Sequence, residues 1–127
     1  MIVLDTHAWM WWASNDRHLP AAARRRIEAA DEVGVAAISC WEVAMLVRQG
    51  RVELDREALS WVRDALALPR VAFLELTPAI AVRAATLEWE HRDPADRLIV
   101  TTALMFGVPL LTKDERIRSW RGVPTIW

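Results

Sequence analysis

The chain has 127 residues, 54% hydrophobic and 26% charged, which excludes a disordered polymer and predicts one domain over residues 1–127 with one substantial core. A formal net charge of −1 excludes a globally basic nucleic-acid binder, so contact with phosphate must come from local groups such as Arg24, Arg25 and Arg26, a run that more often solvates a helix face. Cys40 is the only cysteine, which excludes an internal disulfide framework and fits the cytoplasm.

In chain order, the first predicted strand is Ile2–Leu4, which stops at Asp5. The helix after it carries Trp9, Met10, Trp11 and Trp12 and has no polar face, so at least two of these belong in the core and the others suit an interface. Pro20 sits where the next helix begins. A strand is predicted at Val33–Ile38, then a helix containing Glu42 that ends near Gly50. Between Asp55 and Leu68, Ala58, Trp61, Val62, Ala65 and Leu66 recur at helical spacing with Asp55 as N-cap. The apolar faces around Trp61, like the tryptophan-rich helix, are expected to supply partner contacts. A strand at Val71–Leu76 leads to a helix opening at Pro78, and another opens at Pro94 and closes at Gly107. Strands at Pro109–Leu111 and Val123–Ile126 complete the pattern. The uncharged stretch Leu98–Thr112 is shorter than the ~20 residues of a membrane span and contains Gly107 and Pro109, so it is predicted as a buried helix followed by a strand. No signal peptide is expected, because an acid and a histidine follow the first four residues. Alternating strands and helices predict an α/β fold with a parallel sheet.

Four acids fall where such folds build sites, in the crevice beyond the carboxyl ends of the strands. Asp5 follows the first strand, Glu42 lies early in the helix after the second, Asp96 opens the helix before the fourth, and Asp114 follows the fourth. If strands one, two and four are parallel neighbours, Asp5, Glu42 and Asp114 gather at one edge, and Asp96 joins them if its helix starts beside that edge. Clustered carboxylates repel unless a cation neutralises them. An all-oxygen set without a Cys/His cluster favours Mg²⁺ or Mn²⁺ over zinc and suits phosphoryl chemistry.

Each acid also has a simpler reading. Ser39-Cys40-Trp41-Glu42 matches a capping box, Asp93-Pro94-Ala95-Asp96 matches an N-cap with a first-turn proline, and Asp5 and Asp114 could cap the helices that follow them. Taken singly, each acid is at least as well explained by capping; four at strand and helix ends shift the balance to a site. Thr6 and Thr112 could orient a ligand carboxylate or simply serve the turns. His7 is read as a structural hydrogen-bonding group, and Arg97 as either a phosphate contact or an exposed helical arginine.

The segments DTHAWMWW, ISCWEVA, HRDPADRLIVTTA and LLTKDERI, with the closing VPTIW, together resemble the PIN-domain ribonucleases, specifically the VapC toxins of bacterial toxin–antitoxin pairs. The resemblance runs nearly end to end. It implies a PIN-type α/β/α sandwich with a central parallel sheet, Mg²⁺- or Mn²⁺-dependent cleavage of RNA, homodimerisation and inhibition by a small cognate VapB antitoxin. It places the family's acids on Asp5, Glu42, Asp96 and Asp114, leaving Asp93 as a cap or auxiliary group. The pair Trp89-Glu90 before His91 is a mild departure that removes no acid.

Two other classes share parts of this pattern. A receiver-type signalling domain has a similar size and an acidic Mg²⁺ pocket, but needs a phosphoacceptor aspartate after the third strand, where this chain has Glu75-Leu76-Thr77-Pro78. A non-catalytic PIN-like binding module would use the same acids only as helix caps.

Overall fold

Residues 1–127 are all described by the computed structural model. Strands β1 (Ile2–Leu4), β2 (Val33–Ala36), β3 (Val71–Leu74), β4 (Leu110–Leu111) and β5 (Thr125–Ile126) form one sheet in the order β3-β2-β1-β4-β5. Every pairing is parallel. The helices are α1 (Thr6–Ala13), α2 (Ala21–Ala29), α3 (Ala37–Arg48), α4 (Ala58–Leu66), α5 (Pro78–Thr86), α6 (Pro94–Phe106) and α7 (Glu115–Trp120).

A parallel sheet must be covered on both faces, and the alternation of side chains along a strand decides what each face meets. Ile2 and Leu4 point with Val33, Val35 and Leu111 into a core shared with α1, α2, α3 and α4. Val3 points the other way, joining Ala36, Leu74 and Leu110 in a second core with α6 and α7. Helix α5 packs along α6. The result is the predicted α/β/α sandwich with a parallel sheet. Its strand order differs from the 2-1-3-4-5 order of receiver-type sheets, which removes that alternative. No helix is long and apolar enough to cross a membrane.

Several predicted boundaries move for identifiable reasons. The strand expected at Val33–Ile38 ends at Ala36, because the chain passes directly into α3 with Ala36 as a cap position that contributes no side-chain bond. β3 stops at Leu74, two residues before Leu76. β4 and β5 are shortened at Pro109 and at Val123-Pro124, since proline has no N–H to give a ladder. Val123 is nevertheless buried, in the second core. Helix α4 starts at Ala58, and Asp55 does not cap it; Asp55 sits outside the helix in an exposed ion pair with Arg56. Pro20 occupies the cap position of α2 rather than its first turn. Pro78 and Pro94 do open their helices, capped by Thr77 and Asp93. Gly107 ends α6 at φ 65°, a conformation that costs glycine little.

The tryptophans divide between core and rim. Trp9 is fully buried and meets Trp61 edge to face at 5.2 Å, and Met10 is buried beside them. Trp61 is therefore a core residue, against the expectation that its surroundings form a contact surface. Trp11 and Trp12 remain partly exposed.

Arg97 is neither an exposed helical arginine nor a free phosphate contact. Its guanidinium donates to the carbonyls of Ala84, Leu87, Trp89 and His91 at 2.7–2.9 Å. One side chain thus ties the end of α5 and the loop that follows it to α6.

Candidate active site

Because β1 lies between β2 and β4, the chain segments leaving these three strands emerge side by side. Asp5 follows β1 directly and caps α1, its Oδ1 accepting from the Ala8 amide at 2.8 Å. Asp114 caps α7, accepting from the Arg116 amide at 2.9 Å. Asp96 lies in the first turn of α6, and Glu42 in the second turn of α3. All four line one cleft of about 540 Å³, together with Asp93, His7, Trp11, Arg51 and Lys113 among others. The condition set for Asp96 is met: its helix starts beside the edge where the other three gather.

Capping and site-building are not exclusive for Asp5 and Asp114, because a carboxylate caps with one oxygen; the other oxygen of Asp114 meets the Arg116 guanidinium. For Glu42 the capping-box reading fails. Ser39 is the third residue of α3, inside the helix, and the Glu42 carboxylate instead accepts a close hydrogen bond from Thr6 at the start of α1. Ser39 has a different use, with its buried hydroxyl 3.0 Å from that of Thr6. Thr6 thereby orients Glu42. Thr112 is fully buried, and its hydroxyl accepts from the Asp114 amide at 3.0 Å, shaping the turn that presents Asp114. Asp93 caps α6 by accepting from the Asp96 amide at 3.0 Å.

Two partners of the acids were not anticipated from the sequence. His91 Nε2 lies 2.6 Å from Asp96 Oδ2, and Arg116 grips Asp114 through two nitrogens while standing 3.9 Å from Asp96. Arg116 was findable in principle, lying two residues after an acid that caps its helix. His91 was not, because its approach to Asp96 depends on the loop that Arg97 holds.

The electrostatics separate the four acids. Burial raises the carboxyl of Asp5 above its ordinary value, against hydrogen bonds from Thr112 and Ala8. Burial also raises Glu42, against Thr6, with further elevation from Asp96, Asp93 and Asp5. Asp96 is raised by burial and by Asp93 and Asp114, against the pull of His91. Asp114 alone is lowered, by the Arg116 guanidinium. A carboxyl raised in the folded state binds its proton more tightly there than in the unfolded chain. The stability from Asp5, Glu42 and Asp96 is therefore fully present below the unfolded values of 3.8 and 4.5 and is lost as pH rises through the elevated folded values. In chelator, the melting temperature of the parent should fall relative to that of Asp5→Asn as pH is raised above about 4. Parallel curves for the two proteins would contradict this.

As the side chains stand, no three acidic or imidazole groups converge closely enough to share one metal ion. Glu42 is turned to Thr6, Asp96 to His91 and Asp114 to Arg116. The donor chemistry nevertheless suits a hard divalent cation: the carboxylates are oxygen ligands, and three of them are held in a state that added positive charge would relieve.

Residues 2–122 match the PIN domain family, and the chain belongs to that family. It is 42% identical over 129 residues to Ribonuclease VapC22 of Mycobacterium tuberculosis, covering 99% of this chain and 98% of that one. Within the family it thus stands with the VapC-type proteins by sequence. Its fold is similar to that of VapBC2 from Rickettsia felis, solved bound to a DNA fragment from the promoter, with a TM-score of 0.72 at 15% identity over 99% of this chain and 98% of that one. It is also similar to VapC20 of Mycobacterium tuberculosis, described as a sarcin-ricin loop cleaving toxin, with a TM-score of 0.68 at 16% identity over 97% and 96%.

Proposed function

We propose that the protein is the toxin of a VapBC-type pair and hydrolyses RNA phosphodiester bonds at the cleft where Asp5, Glu42, Asp96 and Asp114 meet. The observation that carries this is the gathering of these four acids from separate segments into one cleft, with three of them raised by burial. A purely capping role would not need Glu42 there, since it caps nothing. Asp5, Glu42, Asp96 and Asp114 would hold Mg²⁺ or Mn²⁺, which when bound supplies charge neutralisation and Lewis acidity to a phosphodiester.

The chain's own groups do the rest. Thr6 fixes the Glu42 carboxylate, and His91 fixes Asp96. Helices α1 and α6 begin at the cleft, so their amide ends favour phosphate. A second, more apolar groove formed by Ile38, Trp41, Met45 and Leu76 shares Glu42 and Asp93 with the cleft, and Trp41 is 57% exposed. That surface supports a protein partner, which the reading assigns to a VapB-type antitoxin or to a second copy in a homodimer, in the cytoplasm.

Cleavage of mixed cellular RNA by pure protein tests the reading. A discrete fragment pattern is expected with Mg²⁺, its loss with chelator, and its return on adding Mn²⁺. Glu42→Gln refines the test. Glutamine can still accept from Thr6 but is a poor ligand for Mg²⁺, so stability should change by less than about 0.5 kcal/mol. Cleavage should fall about a hundredfold, roughly 2.7 kcal/mol of transition-state stabilisation. Full cleavage by Glu42→Gln at low Mg²⁺ would remove Glu42 from the ligand set.

A further inference from the structure

The wall of the acidic cleft carries an aromatic group that none of the steps above uses. Trp11 lines the cleft with Asp5, Asp96 and Asp114, and it is partly exposed although its neighbours Trp9 and Met10 are buried. Its ring is held from several sides. His18 stacks on it at 5.5 Å and 23°, and His18 is itself fixed by Asp16, whose Oδ1 lies 2.6 Å from Nδ1. His7 and Trp127 lie against it at 5.7 and 6.3 Å, both tilted. The Lys113 ammonium stands 4.9 Å from the ring centroid. Lys113 forms no ion pair although Asp114 is the next residue, and Arg51, also on the cleft, forms none either.

We infer that Trp11 is a stacking platform for one unpaired base of the RNA substrate, the base taking the ring face over which Lys113 stands and Lys113 turning with Arg51 to the flanking phosphates. Single-stranded RNA is held by this combination: an indole offers a face to any base, and cations beside it follow the backbone. A cleft lined with acids would otherwise repel the substrate, and Lys113 and Arg51 are the cations on it that its own acids do not consume. The surroundings of Trp11 also favour RNA over a protein partner. One side of Trp11 packs against the first core, while on the cleft side its neighbours include two imidazoles and an ammonium, and the apolar groove lies around Trp41 instead. Stacking a base there fixes one nucleotide beside the acids and so positions a phosphodiester for attack. Trp11 is in this account a substrate-positioning residue, and the inference rests on the ribonuclease reading.

The test uses a short unstructured oligoribonucleotide spanning a cut site mapped with the parent protein, and a set of copies with one abasic position each. Binding is measured in the Asp5→Asn protein, which holds the RNA uncut. Adding Trp11→Ala should weaken binding about tenfold or more, while Trp11→Phe should retain most of it. One abasic position should weaken binding to the Trp11 protein by a similar factor and cost the Trp11→Ala protein nothing further. Lys113→Gln should lower the slope of log affinity against log salt by about 0.7, the share of one phosphate contact on a single strand. Thermal melts establish that each variant is folded, and Trp11→Leu, which keeps an apolar side chain without an aromatic face, carries the test with the same expected loss if Trp11→Ala is not. Undiminished binding by Trp11→Ala, or equal sensitivity of both proteins to every abasic position, overturns the platform while leaving the ribonuclease reading intact. A change in dimer mass or antitoxin affinity without a change in RNA affinity makes Trp11 a protein contact and overturns it likewise. A parent protein that neither cuts nor binds RNA overturns the ribonuclease reading, and the platform with it.

Discussion

Asp5→Asn should abolish RNA cleavage, by about a thousandfold or more, while the protein melts at the same or a higher temperature. The loss corresponds to about 4 kcal/mol of transition-state stabilisation, the scale on which removing one group that meets developing charge acts. The stability side follows from local geometry. Asparagine caps helices as well as aspartate does, so the bond from the Ala8 amide survives. The substitution meanwhile deletes a buried charge that Asp96 opposes. Inactive and stable is thus the signature of a group kept for chemistry at some cost to the fold. An Asp5→Asn protein that cuts RNA at the parental rate would remove Asp5 from the centre. One that is inactive but strongly destabilised would show that its capping role dominates.

The largest effect on stability should come from Arg97→Ala. Four carbonyls lose a charged donor at once, and bonds to charged groups are worth about 1.5–3 kcal/mol each before solvent replaces them. Water can reach part of this loop, so a loss of about 3–5 kcal/mol is expected, lowering the melting temperature by roughly 10 °C or more. Arg97→Lys should recover only part of it, because one ammonium cannot reproduce the fork that spans four acceptors. The loop 87–91 carries His91, so hydrogen exchange there should accelerate. Cleavage should fall even at temperatures where the variant is folded, because Asp96 loses its fixed partner. A melt within about 2 °C of the parent would contradict the clamp.

The parallel α/β architecture was legible because β1 and β2 are apolar runs buried on both faces, and because the acids sit where such runs stop. The placement of Asp5, Asp96 and Asp114 in the cleft followed from those stops once the strands proved to be parallel neighbours. What could not be read was tertiary. Ile38 looks like a strand residue by its β-branch but lies in α3, because the chain turns at Ala36 to keep the sheet covered. That two-residue error also produced the false capping box at Ser39 and Glu42. Arg97 was misjudged because three of the four carbonyls it serves belong to a loop with no periodic signal, and the fourth to the end of α5. Trp61 looked like surface because an amphipathic helix shows which residues share a face, not that Trp9 will meet that face. His91 and Arg116 were missed because their partners are defined by that loop and by a single helical turn.

If Asp5, Glu42, Asp96 and Asp114 act together by holding one divalent centre, metal binding and cleavage must fail together. Titrating Mn²⁺ into the parent protein and into Asp96→Asn, reading free Mn²⁺ by electron paramagnetic resonance, and measuring RNA cleavage on the same samples tests this. Saturable binding by the parent is expected, with cleavage rising along the same curve. For Asp96→Asn the expectation is binding weakened at least about tenfold, on the scale seen when groups at a metal site are removed, and no cleavage at concentrations that saturate the parent. Cleavage by the parent that proceeds in chelator, or unchanged Mn²⁺ binding by Asp96→Asn, would contradict the shared centre.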